Sequence, residues 1–91
     1  MQEPINAVRI HPSDNVAVVI KEIHPGEPIL GVRQKISARQ NIPRNHKVAL
    51  IEIPAGAKII KYGETIGIAA QVIQPGDWVH THNLKAVADA P

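Results

Sequence analysis

Ile23-His24-Pro25-Gly26, Ile53-Pro54-Ala55-Gly56 and Ile73-Gln74-Pro75-Gly76 repeat one device along a chain of 91 residues. In each, a Pro or Ala that favours the first turn conformation is followed by a Gly free to take φ > 0, which is what a tight turn requires. Apolar runs flank every copy, so the repeat reads as strand, turn, strand. The third copy runs into Trp78-Val79-His80-Thr81-His82-Asn83. On an extended chain His80 and His82 share a face while Thr81 points away.

At 9.9 kDa the chain is one domain with room for a small core, and too small to enclose a substrate together with a complete catalytic apparatus. A module or subunit is expected. Phe is absent and aromatic residues make up 2%, so the core must come from Val, Ile, Leu and Ala, of which the β-branched members favour strands. A formal charge of +2 with no basic run argues against nucleic acid as a partner, despite a pI of about 9.2. The absence of Cys removes disulfides and thiolate metal sites. Met1-Gln2-Glu3-Pro4 does not open a secretory signal, and no apolar run is long enough for a bilayer. A soluble, cytoplasmic protein without a membrane partner is the expectation.

Val8-Arg9-Ile10 reads as a first strand, Pro12-Ser13-Asp14-Asn15 as a turn, and Val16-Ala17-Val18-Val19-Ile20 as a strand buried on both faces. Residues 31–45 read as a loop, the segment expected to be most mobile, with a short strand at Gly31-Val32-Arg33. Val48-Ala49-Leu50-Ile51 and Ile59-Ile60 flank the second repeat, Tyr62-Gly63-Glu64 turns the chain, and Ile66-Gly67-Ile68-Ala69-Ala70 opens the last strand pair. No segment carries a sustained helical period. Residues 1–91 are read as a single all-β domain, with 85–91 a tail or the start of a linker to a larger catalytic domain.

His80-x-His82 has the spacing of two metal ligands on one strand face, and equally that of two imidazoles bonded to nearby backbone. His46-Lys47, after Pro43-Arg44-Asn45, sets an imidazole and an ammonium at the mouth of a strand. Such groups hold carboxylates or stabilise an enolate, and they also occur as ordinary solvated strand starts. Asp14 and Asn15 fit a turn better than a catalytic role. Trp78 reads as a packing anchor, with sugar stacking as the alternative. His11 and His24, beside prolines, are assigned no role.

The run Ile42-Pro43-Arg44-Asn45-His46-Lys47-Val48-Ala49-Leu50, continued by Ile59-Ile60-Lys61-Tyr62-Gly63-Glu64-Thr65-Ile66-Gly67 and closed by Gly76-Asp77-Trp78-Val79-His80-Thr81-His82-Asn83-Leu84, resembles the N-terminal domain of the altronate dehydratase family. Asp14-Asn15-Val16-Ala17 matches the same family near its start. The resemblance implies a β-clip fold of the SAF type, in which bent hairpins fold over each other. It implies dehydration of a sugar acid such as altronate or galactarate to a 2-keto-3-deoxy acid. The cofactor implied is a divalent metal, ferrous iron or manganese, held mainly by a large hydro-lyase domain or subunit that is the expected partner. The related sulfolactate sulfo-lyase small subunit is similar in length and motif. The His-x-His-Asn ending favours the altronate branch.

On that resemblance His46, Lys47, His80 and His82 are the candidate catalytic residues. Arg44, Lys47 and Asn83 are the candidate substrate-binding residues, and His80 and His82 the candidate metal ligands. Asn45 departs from the Gly common before His-Lys in the family, and Asn tolerates φ > 0 well enough to keep the turn. No carboxylate cluster accompanies the histidines, so the isolated chain is expected to be inactive and to act beside its large partner, with a homo-oligomer also open. The competing reading is a non-catalytic β-clip module that binds carbohydrate or serves assembly.

Overall fold

A computed structural model describes residues 4–86. Its strands are β1 (Ala7–Val8), β2 (Val16–Val19), β3 (Lys47–Ala49), β4 (Lys58–Lys61), β5 (Glu64–Ala69), β6 (Trp78–Val79) and β7 (Leu84–Ala86), and no helix occurs among the described residues. They form two antiparallel sheets, ordered β1-β2-β3-β6 and β4-β5-β7. The all-β expectation is met.

Alternation along the central strands feeds two cores. Ala17, Val19 and Val48 pack with Ile23, Ile42 and Leu50 on one face of the first sheet. Val16, Ala49 and Val79 pack with Ile53, Ile59 and Ile73 on the other. This is why a run as apolar as Val16–Val19 can be buried on both sides.

The repeated turns are formed as expected, with Gly26, Gly56 and Gly76 at φ of 85°, 85° and 90°. A further copy, Pro43-Arg44-Asn45-His46, has Asn45 at φ 71° and the His46 amide donating to the Pro43 carbonyl at 3.2 Å. The turns come in related pairs. Gly26 donates to Ala38, which donates back to Glu27, and Gly56 and Ala57 make the same exchange with Ala69. Asn45 and His46 exchange with Val19, as Gly76 and Asp77 do with Ala49. Ile23 bridges Ile42, and Ile53 bridges Ile73. The chain is therefore an internal duplication whose halves meet in the β2–β3 ladder, each isoleucine pair pinning one core.

A simple rule governs how these turns close. Where the first residue carries an amide hydrogen, the fourth supplies a side-chain acceptor: His11 to Asp14 (3.0 Å), His24 to Glu27 (2.6 Å), Gln74 to Asp77 (2.7 Å) and His80 to Asn83 (2.9 Å). Pro43 and Pro54 have no amide hydrogen to satisfy. The fourth residues there, His46 and Ala57, are released from capping.

Asp14 and Asn15 join the sheets, in keeping with their structural reading. Asn15 imitates a strand edge, accepting from Ile60 N at 2.8 Å and donating to Lys58 O at 2.9 Å. Asp14, 5% exposed, accepts from His11, Tyr62 and Gly63 amides. Tyr62 and Gly63, at φ 57° and 74°, make the tight β4–β5 turn, where Gly63 lies flat against the His11 ring.

Several boundaries differ from the sequence reading. The first strand is Ala7–Val8, not Val8–Ile10: the chain leaves the sheet at Arg9 to reach the Asp14 turn, and Ile10 is exposed. Ile20 likewise lies outside β2 and is exposed. Gly31-Val32-Arg33 is a bend, not a strand. Its loop is tied down by Asn6, which accepts from Leu30 N at 2.7 Å and donates to Pro28 O at 3.0 Å. Lys85 and Ala86 belong to β7, paired with Ile68 and Gly67, and not to a tail. The rest of the expected tail, 87–91, lies outside the described residues.

Candidate functional site

The β3–β6 register pairs Val48 with Trp78 and Lys47 with Val79. One step further along the same ladder His46 faces His80, and their ring centroids are 4.7 Å apart. Trp78 shares their face, since residues two apart on a strand point the same way. Its indole stacks on His80 at 5.3 Å with an interplanar angle of 6°, lies 5.6 Å from His46, and meets His82 at 5.2 Å and 45°. The described residues thus gather three imidazoles around one indole.

The hydrogen bonds fix orientations. Indole Nε1–H can only donate, so its 3.1 Å contact makes His46 Nδ1 the acceptor and leaves the proton of the neutral ring on Nε2. The Trp78 amide donates to Gln40 Oε1 at 2.7 Å. Asn83 accepts from His80 N and donates to Trp78 O at 2.8 Å. The His80 imidazole is pushed below its ordinary pKa, first by desolvation and then by the nearby charges of His46, Lys47 and His82. It is neutral at neutral pH and able to accept a proton.

The expected geometry of His80-x-His82 needs correction. β6 ends at Val79, and residues 81–83 turn with the Leu84 and Asn83 amides donating to the His80 carbonyl. The physical reason is Asn83, whose side chain caps the turn and reverses the chain before an extended pair can form. His80 is therefore paired with His46 across the sheet, and His82 flanks Trp78 from the turn.

Other candidates are placed differently. Lys47 lies on the opposite face of the sheet from His46, the face of the second core; burial, then repulsion from the Lys61 charge, lowers its ammonium pKa. Arg44 is exposed in its turn. Asn83 is 3% exposed with both ends of its amide used internally, so it supports the cluster from behind. Trp78 is half-buried, with His80 stacked on its indole and His82 tilted against it, so it is an anchor for the imidazoles as well as for the sheet. Gln40 had no sequence signal, because its contact with Trp78 joins segments distant in the chain.

Among the described residues no group of three or more His, Cys, Asp or Glu is placed to hold a metal ion. A cavity of about 460 Å³ is lined by residues 28–37, none of them in the imidazole cluster. No helix among the described residues is long and apolar enough to cross a membrane.

Relatives carry the same segment. The chain is 41% identical over 78 residues to altronate dehydratase of Escherichia coli (strain K12), covering 86% of this chain and 16% of that protein. It is 35% identical over 86 residues to galactarate dehydratase (L-threo-forming) of the same organism, covering 92% and 16%. It is 45% identical over 51 residues to (2R)-sulfolactate sulfo-lyase subunit alpha of Paracoccus pantotrophus, covering 56% and 76%. The chain thus spans a small part of the dehydratases and corresponds to most of the sulfo-lyase subunit. The altronate/galactarate dehydratase SAF domain model matches residues 5–87, nearly the whole of the two-sheet fold and every residue of the imidazole cluster, and the chain belongs to that family.

Proposed function

We propose that this chain is the accessory β-domain of a sugar-acid dehydratase and lends its imidazole cluster to an active site completed by a larger catalytic domain or subunit. The observation that carries the reading is the His46–His80 pair across β3 and β6, with its tautomer set by Trp78. Eliminating water from an aldonate requires a base for the α-proton, a donor or cation for the carboxylate oxygens, and an acid for the leaving hydroxyl. Neutral His80 suits the base. His46, with its proton on Nε2, suits a donor to a substrate oxygen. His82 and Arg44 lie at the exposed rim, available to the partner or to the substrate.

The divalent metal of this proposal, ferrous iron or manganese, belongs to the larger part. Two imidazoles without a carboxylate do not make a complete site, and His46 Nδ1 is already engaged by Trp78. The isolated chain is accordingly inactive in this proposal, and a cytoplasmic location goes with it. A second reading, a sulfo-lyase subunit acting on a sulfonated hydroxy acid, is favoured by the share of the P. pantotrophus alpha subunit that this chain matches.

The test is turnover of altronate, galactarate and sulfolactate by the assembled enzyme. Formation of a 2-keto-3-deoxy acid, reduced at least about a hundredfold by His80→Ala with the melting temperature of this domain nearly unchanged, supports the dehydratase reading. Sulfite release from sulfolactate alone supports the second. Full activity in His80→Ala and His46→Ala would show that the cluster is not functional.

A further inference from the structure

Residues 28–37 of the first half stand where β4 and β5 stand in the second, as the matched exchanges of Gly26 with Ala38 and of Gly56 with Ala69 require. The two arms are built differently. β4 and β5 pair along their length and close at Tyr62 and Gly63. The first arm pairs at its base, through the Pro28–Ser37 bridge and the Ile29 amide donating to Ile36 O at 3.0 Å. Leu30 then turns aside, its carbonyl accepting from the Asn6 and Ala7 amides. Gly31, at φ 108°, passes so close to the Ala7 carbonyl that a Cβ has no room there. The approach of the first strand thus holds the limbs of this arm open.

Both limbs line the cavity of about 460 Å³, a size within the roughly 300–1,000 Å³ usual for small-ligand sites. Its lining is of two kinds. Ile29 is buried in the first core, and Val32 and Ile36 pack against it. Arg33 and Lys35 are exposed cations. Residues 28–37 contain no Asp or Glu, and no ion pair among the described residues includes either cation. Gln34 lies between them in sequence, and its Oε1 is buried without a hydrogen-bond partner. A carbonyl so placed has no bond to break on turning toward the cavity, where a hydroxyl can donate to it. No aromatic residue lines the cavity, so nothing there would stack on a nucleobase.

We propose that the 28–37 arm binds a small polyhydroxy anion, with Arg33 and Lys35 holding the charged group, Gln34 a hydroxyl, and the isoleucines and Val32 the carbon chain. The charged group is a carboxylate or a phosphate monoester, either of which the guanidinium can grip through two parallel hydrogen bonds. The site shares no residue with the imidazole cluster and goes beyond the dehydratase reading without resting on it.

The experiment is a titration of the full chain, followed by calorimetry and by NMR of the backbone amides, with gluconate, glucose 6-phosphate, uncharged sorbitol and hydroxyl-free hexanoate as separate probes. Gluconate, glucose 6-phosphate or both should shift the amides of residues 29–37 and leave the His46 and His80 rings unmoved; which of the two binds more tightly identifies the charged group. Sorbitol and hexanoate should bind at least about tenfold more weakly. Arg33→Gln and Lys35→Gln should each weaken binding by about tenfold, the loss of one charge-assisted contact. Gln34→Leu should lower the affinity to that of hexanoate while keeping or raising the melting temperature, since it removes an acceptor that is buried without a partner. No shifts in the arm with either anion, sorbitol or hexanoate binding as tightly as they do, or affinity unchanged in the Arg33 and Lys35 variants would overturn the site. Sugar-acid turnover by the assembled enzyme is a separate readout, so failure of the functional reading and failure of the arm site are told apart.

Discussion

The imidazoles of His46 and His80 stand 4.7 Å apart as cross-strand neighbours, one released from turn capping by Pro43 and the other held by Asn83. Neither arrangement is local to the pair. A proline three residues before His46 removes the amide that an acidic residue at position 46 would otherwise cap, as Asp77 does in the second half. The turn chemistry thereby opens one position of the repeat to an imidazole.

That pair makes Trp78 a reporter. It is the sole tryptophan, stacked on His80 and bonded to His46, and a protonated imidazole quenches indole emission. Because the His80 pKa is lowered in the folded chain, quenching should set in below the usual imidazole range as pH falls. The linkage has a definite sign: folding favours neutral His80, so its contribution to stability is present above the unfolded pKa and is lost as pH drops through the folded one. Fluorescence titration of the chain and of His80→Ala checks this. A profile identical in the two would show that His80 does not titrate against Trp78.

Asp14 should dominate acid sensitivity. Burial raises its pKa, but hydrogen bonds from Gly63, Tyr62 and His11 and the His11 charge outweigh that and leave the carboxyl below its ordinary value. Its stabilisation is therefore complete above the unfolded pKa and fades as pH falls through the lower folded value. Asp14→Asn turns an amide group toward backbone donors and should cost about 2–4 kcal/mol at neutral pH. Urea unfolding of the two proteins across the acid range should show the gap closing as pH falls.

The turns were legible in the sequence because Pro, Gly and Asn act on their own backbone, and Asn45 shows that even a departure from Gly could be read correctly. The cluster was legible only in composition. His46, His80 and His82 were named, but their pairing depends on strand register, which residues distant in sequence decide. For the same reason adjacency in sequence does not separate Lys47 from His46 by face, and neither the burial of Asn83 nor the contact of Gln40 has a local signal.

Glycines in turns of like backbone conformation should differ in tolerance. Gly26 and Gly76 share a positive φ, yet a Cβ on Gly26 meets nothing within 4 Å, whereas one on Gly76 collides with the Ser37 carbonyl oxygen. Gly26→Ala should therefore cost about 1 kcal/mol from backbone strain alone. Gly76→Ala should cost more, because the 37–40 segment must also move. Equal melting temperatures for the two variants would contradict the close packing of that segment.

The same segment leads to Gln40. Its Oε1 accepts the Trp78 amide hydrogen at 2.7 Å, and its neighbour Arg39 pairs with Asp77 at 3.1 Å while the Arg39 amide donates to Gly76 O. These contacts hold β6 on its outer side, where no strand lies beyond it in the sheet. Gln40→Ala leaves the Trp78 amide without that partner and frees β6 to shift against β3, which should lengthen the Trp78–His46 bond. Gln40→Glu keeps an acceptor at the same reach and should preserve it. The expected result is a fall of about 1–2 kcal/mol in stability for Gln40→Ala, with a red shift of Trp78 emission that Gln40→Glu does not show. In the assembled enzyme the same substitution should lower kcat more than it raises KM, since it disturbs the orientation of the imidazoles and removes no substrate contact. A variant that loses stability but keeps its emission and its kcat would make Gln40 a packing residue with no part in positioning the cluster.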